Sequence, residues 1–258
     1  MKVVILCGGQ GTRLREETEF RPKPMVEVGG RPILWHIMKG YAHHGIRDFV
    51  LCLGYRGNFI KEYFLNYEAK NNDFTISLGQ RQQIEYHGQH EEQDFRVTLV
   101  DTGLDTMTGG RIRRVKPHIV DSTFMVTYGD GVSNVDLQRL LEFHRSHGRL
   151  ATVTSVRPTS RFGLLALSAE SQVTQFAEKP EVDGWMSAGF FVFERQVFDY
   201  LEDGDSCILE RAPLERLARE GQLMAFRHEG FFFAMDTYRE YQYINGLWDK
   251  GQAPWKVW

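Results

Sequence analysis

Apolar and polar positions change period several times along this chain. Val3-Val4-Ile5-Leu6 is a short apolar run rich in β-branched residues and predicts a strand over Lys2–Leu6. Ile33, Ile37 and Tyr41 fall four apart and predict a helix over Ile33–His43. Asp48–Leu53 reads as a strand and Asn58–Tyr67 as a helix. Val97–Val100 and Phe124–Tyr128 are further short strands. Leu137, Leu140, Leu141 and His144 share one face of a helix over Asp136–His147, and Leu150–Val156 is another strand. This alternation predicts an α/β fold: a Rossmann-like, mostly parallel mixed sheet flanked by helices. In such sheets ligands bind beyond the carboxyl ends of the strands.

The second half is less regular and richer in β patterns. Phe162–Phe176 reads as a pair of strands, Gly189–Phe193 as a strong strand, and Asp205–Glu220 as a helical region entered through a turn. Residues 68–95 are polar, with Phe74–Leu78 and Gln83–Tyr86 as strands of an exposed hairpin, either an oligomer arm or a solvated loop. There is no repeat and no low-complexity linker, so residues 1–258 are expected to form a single domain.

Composition narrows the classes. With 258 residues, 42% of them hydrophobic, the chain can bury a large core. A net charge of −3 argues against a nucleic-acid surface as the main activity. No apolar segment approaches the roughly eighteen residues of a membrane span, and the N-terminus lacks the pattern of a signal peptide. Cys7, Cys52 and Cys207 form no C-x-x-C pair and read as reduced thiols in a cytoplasm. His43-His44 and the His87/His90 pair lack a third ligand at zinc-site spacing.

The chemistry concentrates near the start. The first strand runs into Leu6-Cys7-Gly8-Gly9-Gln10-Gly11-Thr12-Arg13-Leu14, and Arg21-Pro22-Lys23-Pro24-Met25 follows. Glycines let backbone N–H groups approach an anion, and Arg13 and Lys23 add two full charges, which describes a polyphosphate site. It is not a dinucleotide fingerprint, because Leu14 stands where the third glycine belongs, and no P-loop Gly-Lys-Ser/Thr occurs. Glycines alone would fit an ordinary strand-to-helix turn; the arginine and the Pro-Lys-Pro argue against that.

These residues resemble the signature of the sugar-1-phosphate nucleotidylyltransferases, Gly-Gly-x-Gly-Thr-Arg-Leu followed by Pro-Lys-Pro-Met. Trp35-His36-Ile37-Met38-Lys39, Gly54-Tyr55-Arg56-Gly57, Thr106-Met107-Thr108-Gly109-Gly110-Arg111 and Gly251-Gln252-Ala253-Pro254-Trp255-Lys256 are similar to the glucose-1-phosphate cytidylyltransferases in particular. The resemblance covers essentially the whole chain. It implies transfer of a cytidylyl group from CTP to a hexose 1-phosphate, giving a CDP-sugar and pyrophosphate with Mg²⁺. A thymidylyl- or uridylyltransferase and an inactive nucleotide-sugar-binding domain are the alternatives. It further implies a homo-oligomer that feeds bacterial surface polysaccharide synthesis.

Site residues carry over by position. Residues 1–135 would form mainly the nucleotide core, with Leu6, Gly8, Gly9, Gly11, Thr12, Arg13, Lys23, Thr106, Thr108, Gly109, Arg111 and Gly129 on the nucleotide. Arg111 can only donate, so it suits a base oxygen or a phosphate. Asp130, in the Gly129-Asp130-Gly131 turn, and Asp236 would hold the metal; Asp-Gly is also a common turn signal and Asp a good helix cap. Arg13, Lys23 and Asp130 are the expected catalytic groups. Residues 136–258 would supply the sugar half, with Gly163, Glu178, Lys179, Trp185 and Ser187 on the sugar phosphate. One departure stands out. Relatives read Trp-x-Asn-Gly-Gly-Phe-Phe-Val where this chain has Trp185-Met186-Ser187-Ala188-Gly189-Phe190-Phe191-Val192, which makes a shifted sugar preference the point to test.

Overall fold

The computed structural model describes residues 1–79, 83–160, 162–178, 180–201 and 204–258. Seven of their strands form the central sheet: β1 (Lys2–Leu6), β2 (Asp48–Leu53), β3 (Arg96–Asp101), β4 (Thr123–Tyr128), β5 (Ala151–Val156), β6 (Met186–Glu194) and β7 (Leu223–Arg227). Their spatial order is β7-β5-β6-β4-β1-β2-β3. β4, β1, β2 and β3 run parallel, as do β5 and β7, while β6 is antiparallel to both its neighbours. This is the mostly parallel mixed sheet expected from the apolar runs.

The runs are continuous because the strands are buried on both faces. Val3 and Ile5 enter one core cluster, Val4 and Leu6 the other; Phe49, Leu51 and Leu53 alternate with Val50 and Cys52 in the same way. The helices divide accordingly: α1 (Ile33–His43), α2 (Gly57–Leu65), α3 (Thr108–Arg114), α4 (Leu137–His147), α5 (Ala212–Arg219) and α6 (Tyr238–Asp249). Ile33, Ile37, Ile60, Leu140 and Ile244 put α1, α2, α4 and α6 on the first face; Ile112 and Leu217 put α3 and α5 on the second. Each such side chain is worth roughly 1.5–3 kcal/mol when fully buried.

Local chemistry sets the ends. Asp136 caps α4 by accepting from Gln138 N and Arg139 N, both at 3.0 Å. His144, on its buried face, meets Thr152 Oγ1 at 2.8 Å and Glu194 Oε1 at 3.1 Å, a satisfied core histidine. Trp255 anchors the tail at 1% exposure against Phe231 and Trp248.

Several elements differ from the sequence reading. The helix expected over Asn58–Tyr67 breaks at Asn66, whose side chain donates to Glu62 O at 2.8 Å, and a short helix resumes over Tyr67–Asn71. The helical region over 205–220 narrows to α5, which carries Pro213 in its first turn, where no N–H is needed. The strand read as Gly189–Phe193 extends to Met186–Glu194. The hairpin appears as Asp73–Ser77 paired with Gln83–His87, and it exposes Phe74, Ile76, Ile84 and Tyr86. Among the described residues no helix is long and apolar enough to cross a membrane. Cys7 and Cys52 are free thiols, and all three cysteines are buried.

Candidate active site

A cleft of about 930 Å³ opens where β1 and β4 end. Of the expected nucleotide residues, Leu6, Gly8, Gly9, Gly11, Thr12, Arg13, Lys23, Thr106, Thr108, Arg111 and Gly129 line it, together with Asp130 and Asp236. Gly129 N donates to Leu6 O at 3.0 Å, which joins the two strand ends directly.

Lys23 sits in a 3₁₀ turn fixed by Pro22 and Pro24. Its nearly buried ammonium donates to Asp130 Oδ2 and to Asp236 Oδ1, each at 2.6 Å. Arg13, largely exposed, reaches the same Asp236 Oδ1 at 3.0 Å. Burial opposes the Lys23 charge, but the two carboxylates outweigh it and raise the lysine above its ordinary pKa. The aspartates meet through a small antiparallel pairing of Gly131–Ser133 with Phe232–Ala234, which Met235 N extends to Asp130 O at 3.0 Å. Glu240 then fixes the approach to α6: its carboxylate accepts from Asp236 N and Thr237 N, both at 2.8 Å. Glu240 is a positioning group that sequence reading missed; the Thr-x-x-Glu capping box at Thr237 was its signal.

Two oxygen ligands held around one cation suit a hard divalent ion. Among the described residues no group of three or more His, Cys, Asp or Glu gathers as ligands, so the remaining positions would fall to phosphate and water, as is usual for Mg²⁺.

Arg111 occupies an unexpected place. It lies on α3 and is 5% exposed. Its guanidinium donates to Leu53 O, Thr102 Oγ1, Gly103 O, Gly8 O and Leu104 O at 2.7–3.1 Å. The fork therefore staples three loops beneath the cleft. It also explains Gly8, where a Cβ would fall 2.1 Å from Arg111 Nη1. Gly109 faces Cys207 and Leu209 instead of the cleft.

Among the described residues, none of those expected on the sugar lines this cleft. Gly163 and Glu178 adjoin: a Cβ on Gly163 would stand 3.2 Å from Glu178 Oε2. Trp185 is held between the guanidinium groups of Arg157 and Arg227, 5.1 and 5.3 Å from its ring. Ser187 Oγ accepts from Gly189 N at 3.2 Å. Lys179 lies outside the described residues.

Fold and cleft together define a nucleotidyl-transfer enzyme, and the chain belongs to the nucleotidyl transferase family, whose sequence profile matches residues 2–226. It is 51% identical over 260 residues, across the whole of both chains, to glucose-1-phosphate cytidylyltransferase of Salmonella typhi. It is 46% identical, again across both chains, to a probable glucose-1-phosphate cytidylyltransferase of Bacillus subtilis. The fold is shared with solved structures of low identity. A UDP-glucose pyrophosphorylase complexed with UDP-glucose matches with a TM-score of 0.70 at 15% identity, over 97% of this chain and 98% of that one. A putative glucose-1-phosphate thymidylyltransferase from Bacillus anthracis matches at 0.69 and 18%, over 96% and 94%.

Proposed function

We propose that this protein transfers the cytidylyl group of CTP to glucose 1-phosphate, giving CDP-glucose and pyrophosphate. The observation that carries the reading is the convergence of Lys23, Asp130 and Asp236 at the cleft, in a chain 51% identical over its full length to a glucose-1-phosphate cytidylyltransferase.

An oxygen of the sugar phosphate attacks the α-phosphorus; a P–O bond forms there as the bond to the β-phosphate oxygen breaks. The nucleophile is already anionic, so no base is needed. The task is to hold two polyanions together and to stabilise the charge that develops on pyrophosphate. The glycine loop and Arg13 bind the triphosphate, and Lys23 neutralises charge near the α-phosphate. Asp130 and Asp236 would hold Mg²⁺, which supplies further neutralisation of phosphate oxygens when bound. Arg111 keeps the loops under the base in place. Gly163, Glu178, Lys179, Trp185 and Ser187 form the sugar side, with Lys179 on the phosphate and Glu178 accepting from hydroxyls. The exposed apolar residues of the 73–87 hairpin fit a homo-oligomer, and the buried free thiols of Cys7 and Cys52 fit the cytoplasm.

The test is pyrophosphate release with Mg²⁺ across CTP, UTP, dTTP, ATP and GTP against several hexose 1-phosphates. A maximum for CTP with glucose 1-phosphate is expected. A maximum with UTP or dTTP would overturn the base assignment, and no release despite CTP binding would leave a binding domain.

A further inference from the structure

Just outside the cleft, one carboxylate joins two of its walls. Glu210 accepts a hydrogen bond from the Tyr128 hydroxyl and another from Thr108 Oγ1, the latter at 2.6 Å. Tyr128 and Thr108 line the cleft. Glu210 is itself exposed. A solvated surface glutamate has no reason to give up its rotamer freedom, and exposed contacts seldom repay that loss. Here it is fixed by two hydroxyls that lie 82 and 102 residues away in sequence.

Both ends of this bridge are braced. The Tyr128 ring rests on Gly189, where a Cβ would come within 2.2 Å of Tyr128 Cδ2 and where φ is +73°. Only glycine fits that contact and that backbone. Thr108 opens α3, and its Oγ1 also accepts from Leu209 N at 2.9 Å. The carbonyls of Asp205 and Cys207 accept from Met107 N and Gly110 N at 2.8 and 3.1 Å, supplying partners at the start of the helix. The backbone of residues 205–209 is thus fastened to the start of α3, and the Glu210 side chain carries that fastening across to β4.

Resting on the CTP reading above, we infer that Glu210 is a positioning residue for the nucleotide. By tying Tyr128 to Thr108 it fixes the separation of the two walls and so sets nucleotide affinity, without touching a reacting atom. Lys23, Asp130 and Asp236 are held by their own ion pairs, so the effect falls on binding and spares the chemical step.

Steady-state kinetics and calorimetric CTP binding on the full chain test this, with Glu210→Ala, Glu210→Gln and Tyr128→Phe. Glu210→Ala should raise KM and Kd for CTP by about tenfold with kcat within about threefold, the pattern of lost uniform binding. Gln keeps an acceptor for Thr108 and gains a donor for Tyr128, so it should restore most of the affinity. Tyr128→Phe should reproduce the Ala variant, and the double variant should be no worse than either alone. Unchanged KM and Kd in a folded Glu210→Ala protein would overturn the inference. So would a fall in thermal stability and kcat with KM unmoved, the mark of a purely structural residue. If the wild type binds CTP but releases no pyrophosphate, the catalytic reading fails while the Kd comparison still decides the role of Glu210. If it binds no nucleoside triphosphate, both fall.

Discussion

Lys23 and Asp236 are joined by a 2.6 Å bond across 213 residues of sequence, and Asp130 meets the same ammonium at the same distance. The contact closes a circuit between the first loop, the end of β4 and the start of α6. With its pKa raised, Lys23 keeps its charge throughout the neutral range. Its contribution to stability is complete below the ordinary lysine pKa and is lost only as pH rises through the higher folded value, so it adds no slope near neutrality.

Lys23→Ala and Asp130→Ala should each lower kcat by about two orders of magnitude or more, the scale of removing one preorganised electrostatic group. Circular dichroism shows whether each variant is folded. Near-normal turnover in both would end the assigned roles.

The same ion pairs imply competition between Lys23 and a divalent ion when nucleotide is absent. Lys23→Ala should bind free Mn²⁺ more tightly than wild type, by about tenfold, a typical coupling between two sites. Electron paramagnetic resonance of unbound Mn²⁺ measures this without turnover. Equal or weaker binding in the variant would show that the ammonium does not guard the carboxylates.

Removing Arg111 takes the guanidinium donor from Gly103 O and Leu104 O, and takes one donor each from Gly8 O and Leu53 O, which keep Tyr55 N and Thr102. Arg111→Met should cost about 3 kcal/mol in urea denaturation, because buried carbonyls lose charge-assisted hydrogen bonds. Lysine lacks the fork and should recover less than half of the loss. A midpoint within error of wild type would show the staple to be dispensable.

His36 predicts acid sensitivity. Its Nε2–H donates to Val28 O at 2.8 Å and its Nδ1 accepts from Trp255 Nε1 at 3.3 Å, a pattern that only the neutral ring satisfies. Burial lowers its pKa to about 4. A lowered histidine gives stability that is complete above its unfolded pKa, near 6.5, and is lost as pH falls toward the folded value. Wild type should lose about 3 kcal/mol between those limits from this group alone. His36→Gln, with no titrating ring, should flatten that part of the pH–stability curve; an unchanged slope would assign the acid response elsewhere.

Ser187→Asn tests the departure in the sugar half. A longer amide should add one hydrogen bond to the sugar and lower KM for glucose 1-phosphate by about fivefold, leaving KM for CTP unchanged. A change in the CTP term alone would place residue 187 away from the sugar.

The strands of the sheet were legible because burial on both faces writes itself as unbroken apolar runs, as in Val3–Leu6 and Phe124–Tyr128. The glycine loop was legible as part of the cleft because glycines beside Arg13 and Lys23 have few other uses, and these residues do line it. Helix α3 was not. Thr108-Gly109-Gly110 carries no helical signal, and the helix exists because Ile112 is buried and because carbonyls of residues 205 and 207 receive its first N–H groups. The buried job of Arg111 was hidden for the same reason: its acceptors are four carbonyls and the Thr102 hydroxyl, scattered over three loops. Glu210 left no trace at all, since an isolated surface glutamate belongs to no period or motif.

The reversed direction of β6 has a consequence for how this enzyme can change. Its first residues, Met186 and Ser187, pair with Val156 and Ser155, so its beginning lies on the edge where β1, β4 and β5 finish. Successive side chains on a strand point to opposite faces. The pairing with β5 is irregular between Ser187 and Phe191, where Gly189 takes φ +73° beneath the Tyr128 ring, so exchanging Ser187 changes one side chain while a change in length there would move Gly189 off Tyr128. Point substitution at the start of this strand leaves the Gly189–Tyr128 contact in place, and a change in its length does not.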